Sequence, residues 1–309
     1  IETSFNSNFS IITGGPGTGK TKVIKAITSL YKITNNLSRK DLLESLVLLA
    51  PTGRASKRMS MESGLPSYTI HRFLKWQKEE NTFLINEENK SDAKLVIIDE
   101  ASMLDNDLFY NLLLGLKANC KIIMIGDYNQ LPSVGAGQVL KDLIESDCLP
   151  VTYLKKLYRQ ASNSNINFLA HDIIEGKLDM SLFNESEDLT FVSCNSTNLK
   201  EKLQEFALTY KDLSIYDIQV LAPMYKGENG IDSLNIYMQD LLNKKQNKKN
   251  ELLYNGTIYR EGDKVIQLVN SIDDNVFNGD IGEIIKVTKQ NKKEIICDFD
   301  NNLVNYNTS

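Results

Sequence analysis

Short apolar runs rich in β-branched residues recur through the first half of the chain. Each is followed by a stretch in which apolar residues return every three or four positions. FSIIT (9–13) leads into 22–31, LVLLA (46–50) into 54–62, LVIID (95–99) into 107–116, and KIIMIG (121–126) into 138–146. A run too short for a helix, apolar throughout and closed by Gly, Pro, Asp or Thr, is a strand buried on both faces. Alternation with helices predicts a parallel sheet with crossover helices, in which the carboxyl ends of the strands carry the working loops.

The pattern loosens after Pro150. VTYL (151–154) reads as a boundary, followed by a helix at 166–175, a strand at 191–193, a helix at 199–210 and a strand at 218–223. These predict a second α/β lobe. NKKQNKKNE (243–251) reads as a solvated linker or hairpin tip. Beyond it, DKVIQLVN, FNGDIG and EIIKVTKQNKKEIICDF predict β-strands joined by turns bearing Gly and Asn. The expected organisation is a first lobe over 1–150, a partial second lobe over 151–270 and the start of a β insertion over 271–309.

The chain of 309 residues is long enough for about two cores. No apolar run reaches the roughly 18 residues of a membrane span and no secretory leader pattern opens the chain, so the expected compartment is the cytoplasm. The four cysteines (120, 148, 194 and 297) form no CxxC and the only histidines are His71 and His171, which argues against structural zinc or a disulfide framework. Lys and Arg number 35 against 40 Asp and Glu, a formal net charge of −5. A nucleic-acid partner therefore requires a local basic track.

The strongest chemical signal is IITGGPGTGKT. Gly14-x-x-x-x-Gly19-Lys20-Thr21 follows a strand and opens a helix, the setting in which glycines let backbone N–H groups wrap a phosphate. Gly15, Pro16, Gly17, Thr18, Gly19, Lys20 and Thr21 form the expected cradle. Lys20 reaches the terminal phosphates and the Thr21 hydroxyl binds Mg²⁺. Such a loop needs a carboxylate at the end of a neighbouring strand, and LVIIDE supplies two. Asp99 is expected to hold the metal through water, and Glu100 to orient and deprotonate the attacking water. After the next strand, Gln130 in GDYNQLPSV is placed to sense a γ-phosphate.

DEAS (99–102) with GDYNQLPSV (126–134) resembles a motif of superfamily 1 helicases. APTGRASKRM (50–59), TIHRFL (69–74), LYRQ (157–160), PMYKGENGIDSLN (223–235) and VFNGDIGEI (276–284) resemble, in order, the blocks of its RecD-like branch, the exodeoxyribonuclease V alpha-subunit family. The resemblance implies two RecA-like lobes with ATP between them, single-stranded DNA across them, and movement 5′ to 3′. It also implies that Arg159 reaches the γ-phosphate from the second lobe and that the β insertion is an SH3-like barrel. For DNA it points to Pro51, Thr52, Arg54, Thr69 and His71, and to Tyr225, Lys226 and Asn229. On their own, Thr69 suits a helix N-cap and His71 a packing residue, and Lys57 and Arg58 suit either the track or a solvated face.

The family's two later blocks and its upstream glutamine have no counterpart here, which leads to the expectation of a piece of a longer helicase with poor turnover. Alternatives are the helicase part of a conjugative relaxase, an RNA helicase, or an ATP-switched subunit of a nuclease complex.

Overall fold

A computed structural model describes the chain except for residues 78–79, 157–163, 178–179, 184–185, 211, 270, 272–273, 275, 290–292 and 308–309. Its contacts divide it into two compact units, Ile1–Leu182 and Phe183–Ser309.

The first unit is built on a six-stranded, wholly parallel sheet: β1 (Phe9–Thr13), β2 (Leu46–Ala50), β3 (Ser67–Thr69), β6 (Leu95–Ile98), β7 (Lys121–Gly126) and β8 (Val151–Tyr153), in the order β3-β2-β6-β7-β1-β8. Two short strands, β4 (Trp76–Gln77) and β5 (Thr82–Phe83), form a separate antiparallel pair.

Successive strand residues point to opposite faces, so each central strand feeds two cores. On one face Ile12, Leu48, Leu95, Ile97, Ile123 and Ile125 pack with Ile24 and Ile27 of α2 (Lys20–Thr34), Leu42 of α3 (Arg39–Ser45) and Met59 of α4 (Gly53–Ser63). On the other, Ile11, Leu49, Val96, Ile98, Ile122 and Met124 meet α5 (Ile70–Phe73), α6 (Asn106–Leu114) and α7 (Val139–Glu145). A small helix, α1 (Glu2–Asn6), precedes β1. The three-layer α/β architecture expected from the alternation is present.

Local chemistry sets the helix ends. Ser38 and Asp41 form a reciprocal capping box on α3, Thr52 caps α4 by accepting from the Ala55 amide, and Gly64 stops α4 with φ 71°.

Three features differ from the sequence reading. Val151–Tyr153, expected to open the second lobe, pairs in parallel with β1 as an edge strand of the first sheet. The segments 191–193 and 218–223, expected as strands, join no ladder among the described residues. Phe191, Val192 and Leu221 stay exposed, as expected of segments without a ladder to give them a buried face, whereas Ile218 is buried. The basic run after residue 243 is pinned at its start: the buried Asn243 donates to the Glu261 carbonyl at 3.1 Å and to Asp263 Oδ1 at 2.7 Å.

Around α8 (Asn165–Glu175), which belongs to the first unit, the side chains are largely exposed. In the second unit α9 (Leu199–Thr209) packs on α10 (Ile231–Leu242), with the Tyr237 hydroxyl donating to the Lys200 carbonyl at 2.8 Å. A hairpin of β9 (Glu251–Tyr254) and β10 (Thr257–Arg260) precedes an antiparallel sheet of β11 (Lys264–Ile266), β12 (Ile281–Thr288), β13 (Glu294–Phe299) and β14 (Asn302–Asn307). Ile295, Cys297 and Phe299 alternate inward along β13, and Asp300 and Asn301, both at positive φ, make the two-residue turn into β14. The strands of this region thus begin at Glu251, ahead of DKVIQLVN (263–270), where the sequence predicted the first of them.

Candidate functional site

Three loops leave the carboxyl edge of the parallel sheet side by side. Thr13, the last residue of β1, stands opposite Gly126, the last of β7, and Ile98, the last of β6, stands opposite Met124. The acidic strand β6 is not the neighbour of β1; β7 lies between them. Two strand spacings, about 10 Å, therefore separate the glycine loop from Asp99, which leaves room for phosphate, a metal ion and its waters.

The loop itself has the backbone that its glycines permit. Gly17 and Gly19 sit at φ 75° and 86°, and a Cβ on Gly14 would come within 2.8 Å of the Leu154 carbonyl and of Thr18 Oγ1. The buried Thr18 hydroxyl donates to the Gly15 carbonyl at 2.8 Å, and Lys20 Nζ donates to the carbonyls of Gly14 at 2.7 Å and Gly15 at 3.2 Å. Gly19, the N-cap of α2, has no side chain to satisfy the first turn of that helix. Among the described residues the Gly17, Thr18 and Gly19 amides donate to no acceptor. Unpaired N–H groups at the positive end of a 15-residue helix make an anion site.

These groups line one cavity of about 430 Å³. The loop from Gly15 to Lys22 forms one wall. Asp99, Glu100 and Gln130 face it, and α4 adds Ala55, Arg58, Met59 and Glu62. Lys20, Thr21, Asp99, Glu100 and Gln130, expected from sequence, are thus brought together within the first unit.

Burial pushes the Asp99 carboxyl up to about 6. The Glu100 amide, donating to Asp99 Oδ1 at 2.9 Å, pulls the other way; the Glu100 charge adds to the rise, and the Lys20 and Arg58 cations lower it. Glu100 adopts φ 51° and ψ 38°, a left-handed conformation rare for a side-chain-bearing residue, at the head of a 3₁₀ turn, Ala101–Met103. Strain of this kind persists where the surroundings impose it, here beside the proposed chemistry.

Among the described residues no group of three or more His, Cys, Asp or Glu side chains forms a metal cage. The donor set of one hydroxyl, Thr21, and one carboxylate, Asp99, fits Mg²⁺, which keeps several waters and takes its remaining ligands from phosphates.

Comparisons with known proteins show the family. An AAA domain model matches residues 1–136, and the model of the ATP-dependent RecD-like DNA helicase SH3 domain matches residues 234–299. The ATP-dependent RecD2 DNA helicase of Deinococcus radiodurans is 32% identical over 301 residues, covering 95% of this chain and 38% of that one. The chain belongs to the RecD-like helicase family. A RecBCD enzyme subunit RecD from Buchnera aphidicola is 28% identical, with 97% of this chain and 60% of that one covered. The chain thus spans 38% of the length of the first of these relatives and 60% of the second. In fold it is similar to the crystal structure of Pif1 helicase from Candida albicans, at 18% identity and a TM-score of 0.53, with 99% of this chain and 75% of that one covered.

The RecD-like blocks expected to meet DNA fall in both units. Pro51 and Thr52 are half-buried just beyond the end of β2, and Arg54 is exposed in the first turn of α4. The buried Thr69 caps α5, accepting from the Arg72 amide at 3.2 Å, so its hydroxyl is already engaged. The His71 ring lies edge-to-face with Trp76 and tilted against Phe83, with ring centroids 6.1 and 5.9 Å away. In the second unit Tyr225 and Lys226 are exposed, and the Asn229 side-chain amide donates to the Ser196 carbonyl at 3.1 Å. Arg159 lies outside the described residues. Arg58, read from sequence as part of the DNA track or a solvated face, is largely exposed and also lines the cavity, together with Glu62, which the sequence reading did not single out.

Proposed function

We propose that this chain is the ATP-binding and part of the DNA-binding machinery of a RecD-like DNA helicase that moves 5′ to 3′ and acts in recombination or repair. The observation that carries the reading is the single cavity in which a loop of unpaired amides, Lys20, Thr21, Asp99, Glu100 and Gln130 converge.

Each residue has a task that its position supports. On binding of a triphosphate, Lys20 exchanges the Gly14 and Gly15 carbonyls for phosphate oxygens, which are better partners for an ammonium. The amides of residues 17–19 and the start of α2 hold the β-phosphate. Mg²⁺, bound by Thr21 and by Asp99 through water, supplies neutralisation of the phosphate charge. Glu100 orients the attacking water and takes its proton, and Gln130 senses whether the terminal phosphate is present. Arg159 is the arginine proposed for the γ-phosphate.

For DNA, the proposed contacts are Pro51, Thr52, Arg54, Thr69 and His71 in the first unit and, by themselves, Tyr225, Lys226 and Asn229 in the second. Arg54, Tyr225 and Lys226 are exposed, as phosphate or base contact requires, whereas Thr69 offers its neighbourhood more than its hydroxyl.

The test is ATP hydrolysis with and without single-stranded DNA, combined with unwinding of duplexes bearing a 5′ or a 3′ tail, in the full-length protein. DNA-stimulated hydrolysis with unwinding from the 5′ tail supports the reading; hydrolysis indifferent to DNA sinks it. A second reading, an ATP-switched subunit of a nuclease complex, is favoured by the similarity to RecBCD enzyme subunits. Stoichiometric co-purification of a nuclease, with no unwinding by the isolated protein, would select it.

A further inference from the structure

The carboxyl edge of the parallel sheet carries an aromatic pair that takes no part in the nucleotide cavity. Tyr128 follows the end of β7 and Tyr153 is the last residue of β8, with β1 between the two strands. Their rings meet edge to face, with centroids 6.4 Å apart and planes at 87°. Neither is packed away: Tyr128 is 38% exposed and Tyr153 48%. An edge-to-face contact uses only the edge of one ring, which leaves the faces of that ring for another partner. Leu131 and Val134, further along the Tyr128 loop, are exposed as well.

Both tyrosines are fixed from behind. The buried Asp127 closes a tight turn, in which its Oδ1 accepts the Asn129 amide at 3.1 Å and its carbonyl accepts the Gln130 amide at 3.1 Å. Tyr128 stands at the first corner of that turn and Gln130 at its end, where it lines the nucleotide cavity. Tyr153 is held by its ladder position opposite Thr13 and by the Leu154 amide, which donates to the Thr13 carbonyl at 2.7 Å. Rings set in place beforehand lose little freedom on binding. The chain then continues into Lys155 and Lys156, both exposed, a local cationic step in a chain of net charge −5. Aromatic faces beside cations suit single-stranded nucleic acid, whose bases stack while a cation takes the phosphate. The first-unit candidates for DNA contact leave β2 and β3 on this same edge, and two strand spacings, about 10 Å, separate β2 from β7.

We propose that Tyr128 and Tyr153 form a platform on which a base of single-stranded DNA stacks, with Lys155 on the neighbouring phosphate. The inference rests on the DNA reading above and carries its track from the ends of β2 and β3 to those of β7 and β8. Stacking uses the π-face that every base has, so the platform is indifferent to sequence. Because Tyr128 and Gln130 belong to one turn, a base that shifts Tyr128 shifts the proposed γ-phosphate sensor with it.

The test measures, by fluorescence anisotropy with the full-length protein, binding of a labelled oligothymidylate and of an abasic strand of the same length, which keeps the phosphates and lacks the bases. Tyr128→Ala and Tyr153→Ala are each expected to weaken oligothymidylate binding by roughly 5–100-fold and to leave binding of the abasic strand unchanged. Tyr128→Phe, which keeps the ring, should bind both strands as the unaltered protein does. Lys155→Ala should lower the salt slope by about 0.7 on both strands, as loss of one phosphate contact does. Unchanged oligothymidylate binding in either alanine variant overturns the proposal. So does an equal loss on both strands, which marks structural damage. Reduced self-association of Tyr128→Ala in light scattering, with DNA binding intact, overturns it too and makes the patch an interface between copies of the chain. If the unaltered protein binds neither strand, the DNA reading itself fails, and the platform with it.

Discussion

Asp99→Asn exchanges a charged group for a neutral one of the same shape at the centre of the site. In the native protein the carboxyl is raised from 3.8 to about 6, chiefly by burial. The fold therefore binds this proton more tightly than the unfolded chain does. The carboxyl's contribution to stability is fully present below about 4 and is lost as pH rises through about 6. At about 1.4 kcal/mol per pH unit, holding Asp99 ionised near neutral pH costs roughly 3 kcal/mol at most, and about 1–3 once partial solvent contact is allowed for. Asn removes that cost and keeps an oxygen to accept the Glu100 amide, now at 2.9 Å. In thermal unfolding without metal or nucleotide, Asp99→Asn should melt higher near neutral pH, by roughly 2–4 °C for each kcal/mol in a unit of this size. The difference should shrink through pH 6 and vanish near pH 4, while Mg²⁺-dependent nucleotide binding is lost at every pH. A variant that melts lower near neutral pH, or a difference that ignores pH, refutes the claim that a buried, costly carboxylate waits for the metal.

Four further outcomes follow from the same geometry. Lys20→Ala removes charge-assisted hydrogen bonds worth about 1.5–3 kcal/mol, so nucleotide affinity measured by titration should fall roughly 10–100-fold. Glu100→Gln should keep ATP bound and lower single-turnover hydrolysis by about 10²–10⁴ in the full-length protein; wild-type turnover would reassign the base. Gly14→Ala drives a methyl against the Leu154 carbonyl and Thr18, and should cost about 1–3 kcal/mol in urea unfolding besides weakening nucleotide binding. Arg54→Ala should weaken single-stranded DNA binding similarly on all sequences and reduce the salt slope by about one, as loss of a phosphate contact does.

The parts of this account that sequence made legible are the local ones. FSIIT, LVLLA, LVIID and KIIMIG announce strands because burial on both faces admits only apolar residues, and the glycine loop is legible because its backbone demands particular residues at particular places. Strand order is different. That β7 separates β1 from Asp99 depends on which crossover lands where, and no local pattern carries it. Arg58 and Glu62 at i and i+4 have the spacing of any solvated helical pair, and only the packing of α4 beside the loop turns them toward the cavity. Val151–Tyr153 looked like the start of a new lobe because a three-residue strand carries little pattern of its own; the Ile11 N–H, donating to the Pro150 carbonyl at 3.0 Å, helps fix it to β1. Asn243 hides in a polar run because what distinguishes it, the partners Glu261 and Asp263, lies some 20 residues away. The N-cap of Thr69 was legible, and the same signal, a threonine just before a helix, existed for Thr52.

The central claim is that the loop from Gly14 to Thr21 and the pair Asp99–Glu100 receive one metal-bound triphosphate. The most direct measurement is a crystal structure of the protein with a slowly hydrolysed ATP analogue and Mn²⁺ in place of Mg²⁺, located by anomalous scattering. The account predicts phosphate oxygens on the amides of residues 17–19 and on Lys20 Nζ, with the manganese peak between Thr21 and Asp99. Phosphates bound elsewhere, or a metal peak remote from both side chains, would contradict it.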